Sequence, residues 1–492
     1  MGLEITENFD IGLVKKRSLT GVVSLVSRSF FIQAVAFGSN LLLTIFLDPK
    51  TFGVFFLVSA FINFFSYFSD IGLAAALIQK KEQATEKDLK TTFTVQQGLV
   101  IFLLIVIFCA SPFVQRVYNL NQESVYLFYA LAVSFFLSSL KTIPSILLER
   151  SLKFNLLIIP QILETVVFNL TAVVLAWKGF GINSFSLAVL ARGVVGLVSM
   201  YIVSPWRVGF QFSRESLRHL LRFGIPYQAN TLMAVVKDDL MTIFLGKVIG
   251  ATGLGYLGWA KKWAEMPLRF LMDNVSKVAF PAFSRLQERE EDLKKAVEKS
   301  VFFLTFLTFP ALVGMSMLAP ELVKLIPRYL KWQPALLALY FYCFNSAWAV
   351  VSTSMTNLLN AIGRIKTTFK LMVMWLVLTW ALMPILAVKV GYNGVALAAA
   401  IIALSSAAAI YIAQKQVRFN LFYSIGKPFA ASLVMGLVIF LFNPGFSSLG
   451  LVIALKILVG MIVYMLVSYF LVGGILFGDI QRLIRSIASK DK

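Results

Sequence analysis

Residues 255–283 read GYLGWAKKWAEMPLRFLMDNVSKVAFPAF, an apolar stretch long enough to cross a membrane. Charged residues nevertheless recur within it at intervals of four positions, as Lys261, Glu265, Arg269, Asp273 and Lys277. Each ionisable group at the centre of a membrane helix costs roughly 2.5–3.5 kcal/mol on insertion scales. Five such groups cannot all face lipid. The sequence therefore predicts that one face of this helix borders a hydrated cavity or other helices.

The rest of the chain is also strongly apolar. Of its 492 residues, 59% are hydrophobic and only 14% are charged, against about 25% in ordinary soluble domains. A spanning helix needs about 20 mostly apolar residues. The pattern predicts an all-α polytopic membrane protein with fourteen transmembrane helices, at residues 19–47, 53–78, 92–115, 124–147, 154–177, 182–204, 218–246, 252–283, 299–319, 333–360, 367–388, 391–414, 425–442 and 449–474.

Basic residues are distributed unevenly among the loops. The net charge is +21, and most Lys and Arg lie in alternate short loops and in the two termini. This positive-inside bias predicts a multi-pass protein of the cytoplasmic (inner) membrane with both termini in the cytoplasm. The same distribution favours membrane lipids over nucleic acid as the partner of these basic residues. The loop near 320–332 is an exception, because it places Lys324, Arg328 and Lys331 on the opposite side.

Short sequence matches indicate an internal repeat. TIFL ends the first span at 44–47 and recurs at 242–245, and Gly53 and Gly255 open the spans that follow. Duplicated bundles around a midplane site are typical of transporters. We therefore expect a cytoplasmic N-terminal segment, a first lobe of six spans, a cytoplasmic linker, a second lobe of six spans, two further helices and a cytoplasmic tail, at residues 1–18, 19–204, 205–217, 218–414, 425–474 and 475–492.

Several further charges fall inside predicted spans at matching depths. Lys237, Asp238 and Asp239 lie near the outer end of span 7, and Lys261 and Lys262 near the outer end of span 8, so this hairpin brings them together. In the first lobe, two pairs are level, Arg28 with Asp70 and Glu164 with Arg192. Structural ion pairs between helices and a charged binding cleft are both open interpretations.

A series of short strings carries a resemblance to a known family. They are LDP at 47–49, TFG at 51–53, DIGL at 70–73, LIQ at 77–79, GY at 255–256, FPAFSRLQ at 280–287 and NAIGR at 360–364. In this order and on these spans, the chain resembles the polysaccharide transporter (Wzx-type) family of the multidrug/oligosaccharidyl-lipid/polysaccharide exporter superfamily. The resemblance covers essentially the whole chain.

The resemblance implies a fold and a function. The fold is a V-shaped pair of pseudo-repeated six-helix lobes with two further C-terminal helices. The function is to move undecaprenyl-diphosphate-linked oligosaccharide from the inner to the outer leaflet, supplied by glycosyltransferases and passed to a polymerase. Lipid II flippase relatives use cavity arginines on the first and eighth helices, and the resemblance implies those roles for Arg28 and Arg269.

The charged residues fit this interpretation as a cationic cleft. The planar fork of Arg donates two hydrogen bonds to phosphate, whereas Lys acts as a point charge. The expected substrate-binding residues are Arg28, Arg269, Lys261, Lys262 and Lys237. The expected counter-ions, or carriers of coupling H⁺ or Na⁺, are Asp238, Asp239, Asp70, Glu265 and Asp273. No catalytic residue, metal site or cofactor is expected, since Cys109 and Cys343 lie in spans and the single histidine, His219, lies in a basic loop.

Two alternatives belong to other classes. A cation-coupled drug antiporter of the same superfamily would favour an acidic, aromatic pocket, whereas cations exceed acids inside these spans. A membrane glycosyltransferase or polymerase would place catalytic acids or a histidine in sizeable outer loops, which are short here. No Gly-Lys-Ser/Thr nucleotide-binding loop occurs. The sugar carried and the coupling ion are left open by the sequence.

Overall fold

The computed structural model describes residues 31–80 and 82–473, with the backbone alone at 229–231, 273, 274 and 277. Within these residues all regular structure is helical, and no strand occurs. The α-helices, numbered α1 to α17 in chain order, are Phe31–Phe46, Pro49–Tyr67, Leu73–Gln79, Glu86–Tyr118, Gln122–Leu140, Thr142–Arg150, Phe154–Trp177, Asn183–Val203, Arg214–Val235, Met241–Leu286, Glu290–Leu325, Leu336–Ala361, Ile365–Val390, Tyr392–Leu404, Ala407–Gln416, Lys427–Leu441 and Leu449–Val472.

Twelve helical stretches of the described chain are long and apolar enough to cross a membrane, so the protein is a multi-pass membrane protein. The predicted number is fourteen. The difference arises at two places. The stretch Leu232–Met272 covers predicted spans 7 and 8, which are separated by a break at Gly250, where φ is 70° and ψ is 174°. The first predicted span is described only from Phe31, as the shorter helix α1.

Polar caps and internal breaks set the helix boundaries. Predicted span 124–147 is divided at Lys141 into α5 and α6, and predicted span 391–414 is divided at Ser405 and Ser406 into α14 and α15. Helix α9 begins at Arg214 rather than at 218, because the Ser213 side chain accepts a hydrogen bond from the Ser216 backbone N–H. The predicted linker 205–217 therefore includes the first turn of a helix.

Helices α2 and α10 cross in close contact because glycines lie at the crossing. A Cβ added to Gly53 would lie 1.6 Å from the Ala251 carbonyl oxygen, and one added to Gly255 would lie 1.8 Å from that of Pro49. Small residues let membrane helices approach to backbone contact. This α2–α10 crossing joins the first half of the chain to the second.

The two halves also touch at a second place, beyond the other end of α2. Gly72, just before α3, has φ of 76°, and a Cβ there would lie 2.3 Å from the carbonyl oxygen of Gly224 in α9. A Cβ on Gly224 would in turn lie 2.8 Å from the carbonyl oxygen of Ile71. We call this the Gly72–Gly224 contact.

The 3₁₀ segment Pro327–Ala335 packs into the molecule beside the α2–α10 crossing. Trp332 is fully buried, stacks on Trp259 with 5.4 Å between ring centroids, and donates from Nε1 to the Thr44 carbonyl oxygen at 2.8 Å. Lys331 Nζ donates to the Ile45 carbonyl oxygen at 2.9 Å. These carbonyls end α1, where a helix lacks internal donors and a cation is favourable. The segment thereby fastens the second half onto α1.

The last two helices, α16 and α17, pack against α11. The Tyr464 hydroxyl of α17 donates to the Phe306 carbonyl oxygen at 2.7 Å. Lys456 of α17 is buried and forms an ion pair with Glu321 of α11. Since a charge in an apolar surrounding is costly without its partner, this pair fixes where α17 sits on α11.

Candidate functional site

A cavity of about 770 Å³ lies between α2 of the first half and the second-half helices α10, α12, α13 and α14. Helix α2 lines it with Phe56, Ser59, Ala60 and Asn63, which lie along the helix between the α2–α10 crossing and the Gly72–Gly224 contact. The volume is within the range of small-molecule sites, roughly 300–1,000 Å³. The cavity therefore lies where the two halves of the chain face each other, with a contact between them on either side.

Helix α10 supplies a charged wall. Lys261, Lys262, Glu265 and Arg269 all line the cavity. The Glu265 carboxylate lies 2.8 Å from Arg269 Nη2 and 3.8 Å from Lys261 Nζ, so one acid contacts the cation one helical turn away on each side. The other two members of the predicted series, Asp273 and Lys277, lie on the same helix, but their side chains are outside the described part of the structure.

A π-helical segment, Val236–Leu240, adds three more charges to the cavity wall. A π-turn inserts one extra residue into a helix and is frequent at functional sites. Asp238 lies 3.3 Å from Lys237 Nζ. Asp239 accepts a hydrogen bond from Asn63 Nδ2 of α2 at 3.5 Å, which links the two halves directly across the cavity. Asn63 carries no charge and was not singled out in the sequence.

Lys262 differs from the other cations of the cavity. Lys237, Lys261 and Arg269 each contact a carboxylate, whereas Lys262 has no hydrogen bond or ion pair with any side chain that the structure describes. Four cations and three carboxylates line the described wall. Lys262 is thus the cation of this wall that no described carboxylate contacts, and an anion entering the cavity would find this ammonium group without a competing partner.

Uncharged residues line the remaining wall, on α12, α13 and α14. Asn345 Nδ2 donates to the Ala399 carbonyl oxygen at 2.9 Å, and Trp375 Nε1 donates to Ser405 Oγ at 3.2 Å. Thr353 and Thr379 add hydroxyl groups. Sequence reasoning missed these residues because it followed charge alone. A polar side chain inside an apolar span was the available signal.

Two predicted site residues of the first lobe are not among the described residues of the cavity wall. Arg28 falls outside the described residues. Asp70 does not line the cavity; its carboxylate accepts from the Ala74 backbone N–H at 3.0 Å, at the start of α3. An acid there satisfies the unpaired N–H groups and positive dipole end of a helix. The structure thus gives Asp70 a local helix-stabilising role.

Glu164 and Arg192 form the expected ion pair, although Lys141 is the nearer partner. Arg192 Nε lies 3.6 Å from the buried Glu164 carboxylate, and Lys141 Nζ donates to the other carboxylate oxygen. Lys141 stands at the break between α5 and α6, which the sequence analysis did not predict. This group connects α5, α7 and α8 within the first half and does not line the cavity.

Comparison with known proteins places the chain among polysaccharide biosynthesis proteins. The family model described as "Polysaccharide biosynthesis protein" matches residues 42–335. The lipopolysaccharide biosynthesis protein WzxC of Escherichia coli is 26% identical over 66% of this chain and 66% of its own length. The teichuronic acid biosynthesis protein TuaB of Bacillus subtilis is 24% identical over 75% and 77%. The succinoglycan biosynthesis transport protein ExoT of Rhizobium meliloti is 22% identical over 62% and 59%.

Solved structures share the fold. The lipid II flippase MurJ in an inward closed conformation superposes with a TM-score of 0.73 at 17% identity, covering 91% of this chain and 98% of that one. An inward-facing multidrug resistance transporter of the MATE family superposes with a TM-score of 0.61 at 16% identity, covering 78% and 94%. At these identities the likeness shows the fold alone.

Proposed function

Because the chain belongs to the polysaccharide biosynthesis protein family, we propose that it is a flippase for a lipid-linked oligosaccharide. It moves an undecaprenyl-diphosphate-linked sugar from the inner to the outer leaflet of the cytoplasmic membrane, without chemical change, for cell-surface polysaccharide synthesis. The relatives named for polysaccharide biosynthesis and transport, and the flippase fold, support this function. Glycosyltransferases would supply the substrate and a polymerase would consume it.

The membrane arrangement is part of the proposal. We propose fourteen spans, two six-helix lobes in a V, two C-terminal helices and both termini in the cytoplasm. Gly250, which breaks the run through predicted spans 7 and 8, and the positive-inside bias support it. In single-cysteine variants, an impermeant reagent added outside should label position 178 or 247 but not 87 or 289. The reverse pattern would contradict this orientation.

The main observation that supports this function is that Lys262, a cation of the cavity wall, contacts no described carboxylate. Lys262 lines the cavity without a partner among the described side chains, beside Arg269 and Lys261, which share Glu265. A diphosphate would gain charge-assisted hydrogen bonds from Lys262 first. Arg269, 71% exposed at its side chain, would add the bidentate fork, and we propose that Arg28 adds another from the first lobe.

Replacement of Lys262 tests the function. The purified protein is reconstituted into vesicles, and transfer of fluorescent undecaprenyl-diphosphate-glucose between leaflets is followed by quenching. Lys262→Ala should weaken binding by about 1.5–3 kcal/mol, as for a hydrogen bond to a charged group, and should lower transfer accordingly. Lys262→Arg should retain most activity, and Lys178→Ala, outside the cavity, should match the original protein. Undiminished transfer by Lys262→Ala would contradict the proposal.

We propose that Asp238 and Asp239 couple transport to H⁺ or Na⁺, or act as counter-ions that keep the diphosphate from binding too tightly. Their place in the π-helical segment, on the cavity wall, supports this role. An Asp238→Asn, Asp239→Asn variant should lose the dependence of transfer on pH or sodium. A dependence that is unchanged would leave the two acids with a structural role.

The net charge of the cavity also bears on the alternative function, that of a drug antiporter. The multidrug transporter with a similar fold gives that alternative a basis, but the wall described here carries more cations than acids. Such a wall favours an anionic substrate. We therefore place the antiporter second; transport of a lipophilic cation by the vesicles, without transfer of the lipid-linked sugar, would reverse the order.

A further inference from the structure

The wall formed by α12, α13 and α14 differs in chemistry from the charged wall of α10. None of the described cavity residues on these three helices carries a charge. Small side chains at Ala349, Ala399 and Ala403 leave space in front of the helices. A diphosphate occupies only part of 770 Å³, so the uncharged wall faces room for a further group of the same ligand.

An aromatic ring on this wall is held in one orientation. Trp375 lines the cavity, and its Nε1–H donates to Ser405 Oγ at 3.2 Å. Ser405 lies at the break between α14 and α15, and its Oγ also donates to the Ile402 carbonyl oxygen at 2.6 Å. Because the indole is fixed through its edge, it presents a rigid apolar surface to the cavity. Rigid aromatic surfaces cost little conformational entropy when a ligand covers them.

Polar groups with unused hydrogen-bonding capacity line the same cavity wall as this ring. Asn345 donates its amide hydrogen to the Ala399 carbonyl, which leaves its Oδ1 as an acceptor. The Thr353 and Thr379 hydroxyls line the cavity and make no hydrogen bond within the described part of the chain. Such groups favour a ligand that offers both donors and acceptors, since a polar group that a ligand covers without pairing it is costly.

We propose that α12, α13 and α14 form the sugar subsite, which takes an uncharged hexose-type sugar next to the diphosphate. This assignment rests on the proposed function and names its substrate class. The apolar face of a pyranose ring covers Trp375, and the ring hydroxyls bond to Asn345, Thr353 and Thr379. The diphosphate then lies on the charged wall of α10. A lipid tail would fill the space but would leave the amide and hydroxyl groups unpaired.

A comparison of two ligands distinguishes binding of the sugar at this subsite from binding of the diphosphate. Affinities for undecaprenyl diphosphate and for undecaprenyl-diphosphate-glucose are measured on the purified full-length protein. Trp375→Leu and Thr379→Val should each weaken binding of the glucosylated ligand, by about tenfold for the ring and about fivefold for the hydroxyl. Binding of undecaprenyl diphosphate should stay within twofold. Trp177→Leu, at an exposed position at the end of α7, is the matched control and should change neither affinity.

The outcomes are distinguishable. Thr379→Val preserves shape, so a loss confined to the glucosylated ligand supports the subsite even where Trp375→Leu folds poorly. Equal weakening for both ligands, or none for either, overturns the assignment while leaving the flippase function standing. If the original protein binds neither ligand, the proposed function fails, and the subsite fails with it.

Discussion

Glu265 determines how much positive charge the cavity offers to a ligand. Its carboxylate contacts both Arg269 and Lys261, so one negative charge offsets part of two positive ones. A transporter must bind its substrate and also release it. Under the proposed function, an acid that competes with the diphosphate for the same cations weakens binding and speeds release.

Glu265→Gln should therefore bind undecaprenyl diphosphate more tightly and release it more slowly. Arg269 is well exposed, so the competing ion pair is worth only about 0.2–1 kcal/mol, and affinity should rise by at most about fivefold. Direct binding and vesicle transfer rates measure the two effects. Weaker binding in Glu265→Gln would mean that the acid orients the cations rather than competing for them. Glu291→Gln, on an exposed acid outside the cavity, is the control.

The ion pair between the buried Lys456 and the partly buried Glu321 gives a second prediction. Breaking a buried ion pair by removing one partner leaves an uncompensated charge and costs about 3–5 kcal/mol. Lys456→Met should lower the thermal unfolding temperature in detergent, whereas Lys456→Met combined with Glu321→Gln should recover most of the loss. No recovery in the double variant would show that the lysine has a role beyond pairing.

The sequence predicted the contacts within one helix but not those between helices. The spacing of Lys261, Glu265 and Arg269 determines that they share one helix face, wherever that helix lies. Which cation lacks a partner depends on neighbouring helices, and Asn63 reaches Asp239 from a helix 176 residues away in sequence. The same applies to Glu321 and Lys456, which are 135 residues apart. No pattern within one span shows such contacts.

At the scale of elements, the 3₁₀ segment Pro327–Ala335 explains the base-rich loop that the sequence left unexplained. Lys331 satisfies the carbonyl end of α1 and lies 3.7 Å from Asp48, and Trp332 fills the space between α1 and α10. The basic loop thus closes one end of the interface between the halves. The charge of Lys331 therefore serves a helix terminus rather than topology.

Trp332→Ala should loosen this closure. Removing a fully buried tryptophan costs about 3–5 kcal/mol, so the unfolding temperature should fall. A cysteine at Ser59, in the cavity, should also react faster with reagent added on the side of this segment. Trp177→Ala, at an exposed tryptophan, should change neither. Loss of stability without faster labelling would restrict Trp332 to core packing.

Helix breaks mark the limit of prediction at this scale. The length of the apolar stretches predicted which segments can span a membrane, because each span needs about 20 apolar residues. It did not predict the π-helical segment at Val236–Leu240 or the divisions at Lys141 and Ser405. At each of these positions a polar side chain has a partner on another helix or in the cavity, and tertiary contacts outweigh the periodicity of the span.

At the scale of the whole molecule, the two halves meet at both ends of the cavity in backbone-close contact. The α2–α10 crossing closes one end, and the Gly72–Gly224 contact closes the other. We propose that transport proceeds by alternating access, which requires that either contact can open while the other holds. Glycines suit this requirement, because two bare backbones can separate and return without repacking side chains.

Substitution of a glycine at one end should therefore open the cavity toward one side of the membrane, and substitution at the other end should open it toward the opposite side. The Cβ of a Gly255→Val variant would lie 1.8 Å from the Pro49 carbonyl oxygen, and that of Gly224→Val would lie 2.8 Å from the Ile71 carbonyl oxygen. In a background without Cys109 and Cys343, a cysteine at Ser59 reports access. Labelling should increase from the outside in Gly255→Val and from the cytoplasm in Gly224→Val.

A matched control tests whether the α2–α10 crossing and the Gly72–Gly224 contact act as gates, that is, as contacts that open the cavity to one side of the membrane. Gly38→Val, on a helical glycine with nothing within 4 Å of an added Cβ, should leave labelling unchanged from both sides. Transfer of lipid-linked sugar should fall in both gate variants, because a cavity held open to one side cannot complete the cycle. Faster labelling from both sides of the membrane in each variant would mean that the two contacts open together. The halves would then move apart as one joint opening, and alternating access through this cavity would be wrong.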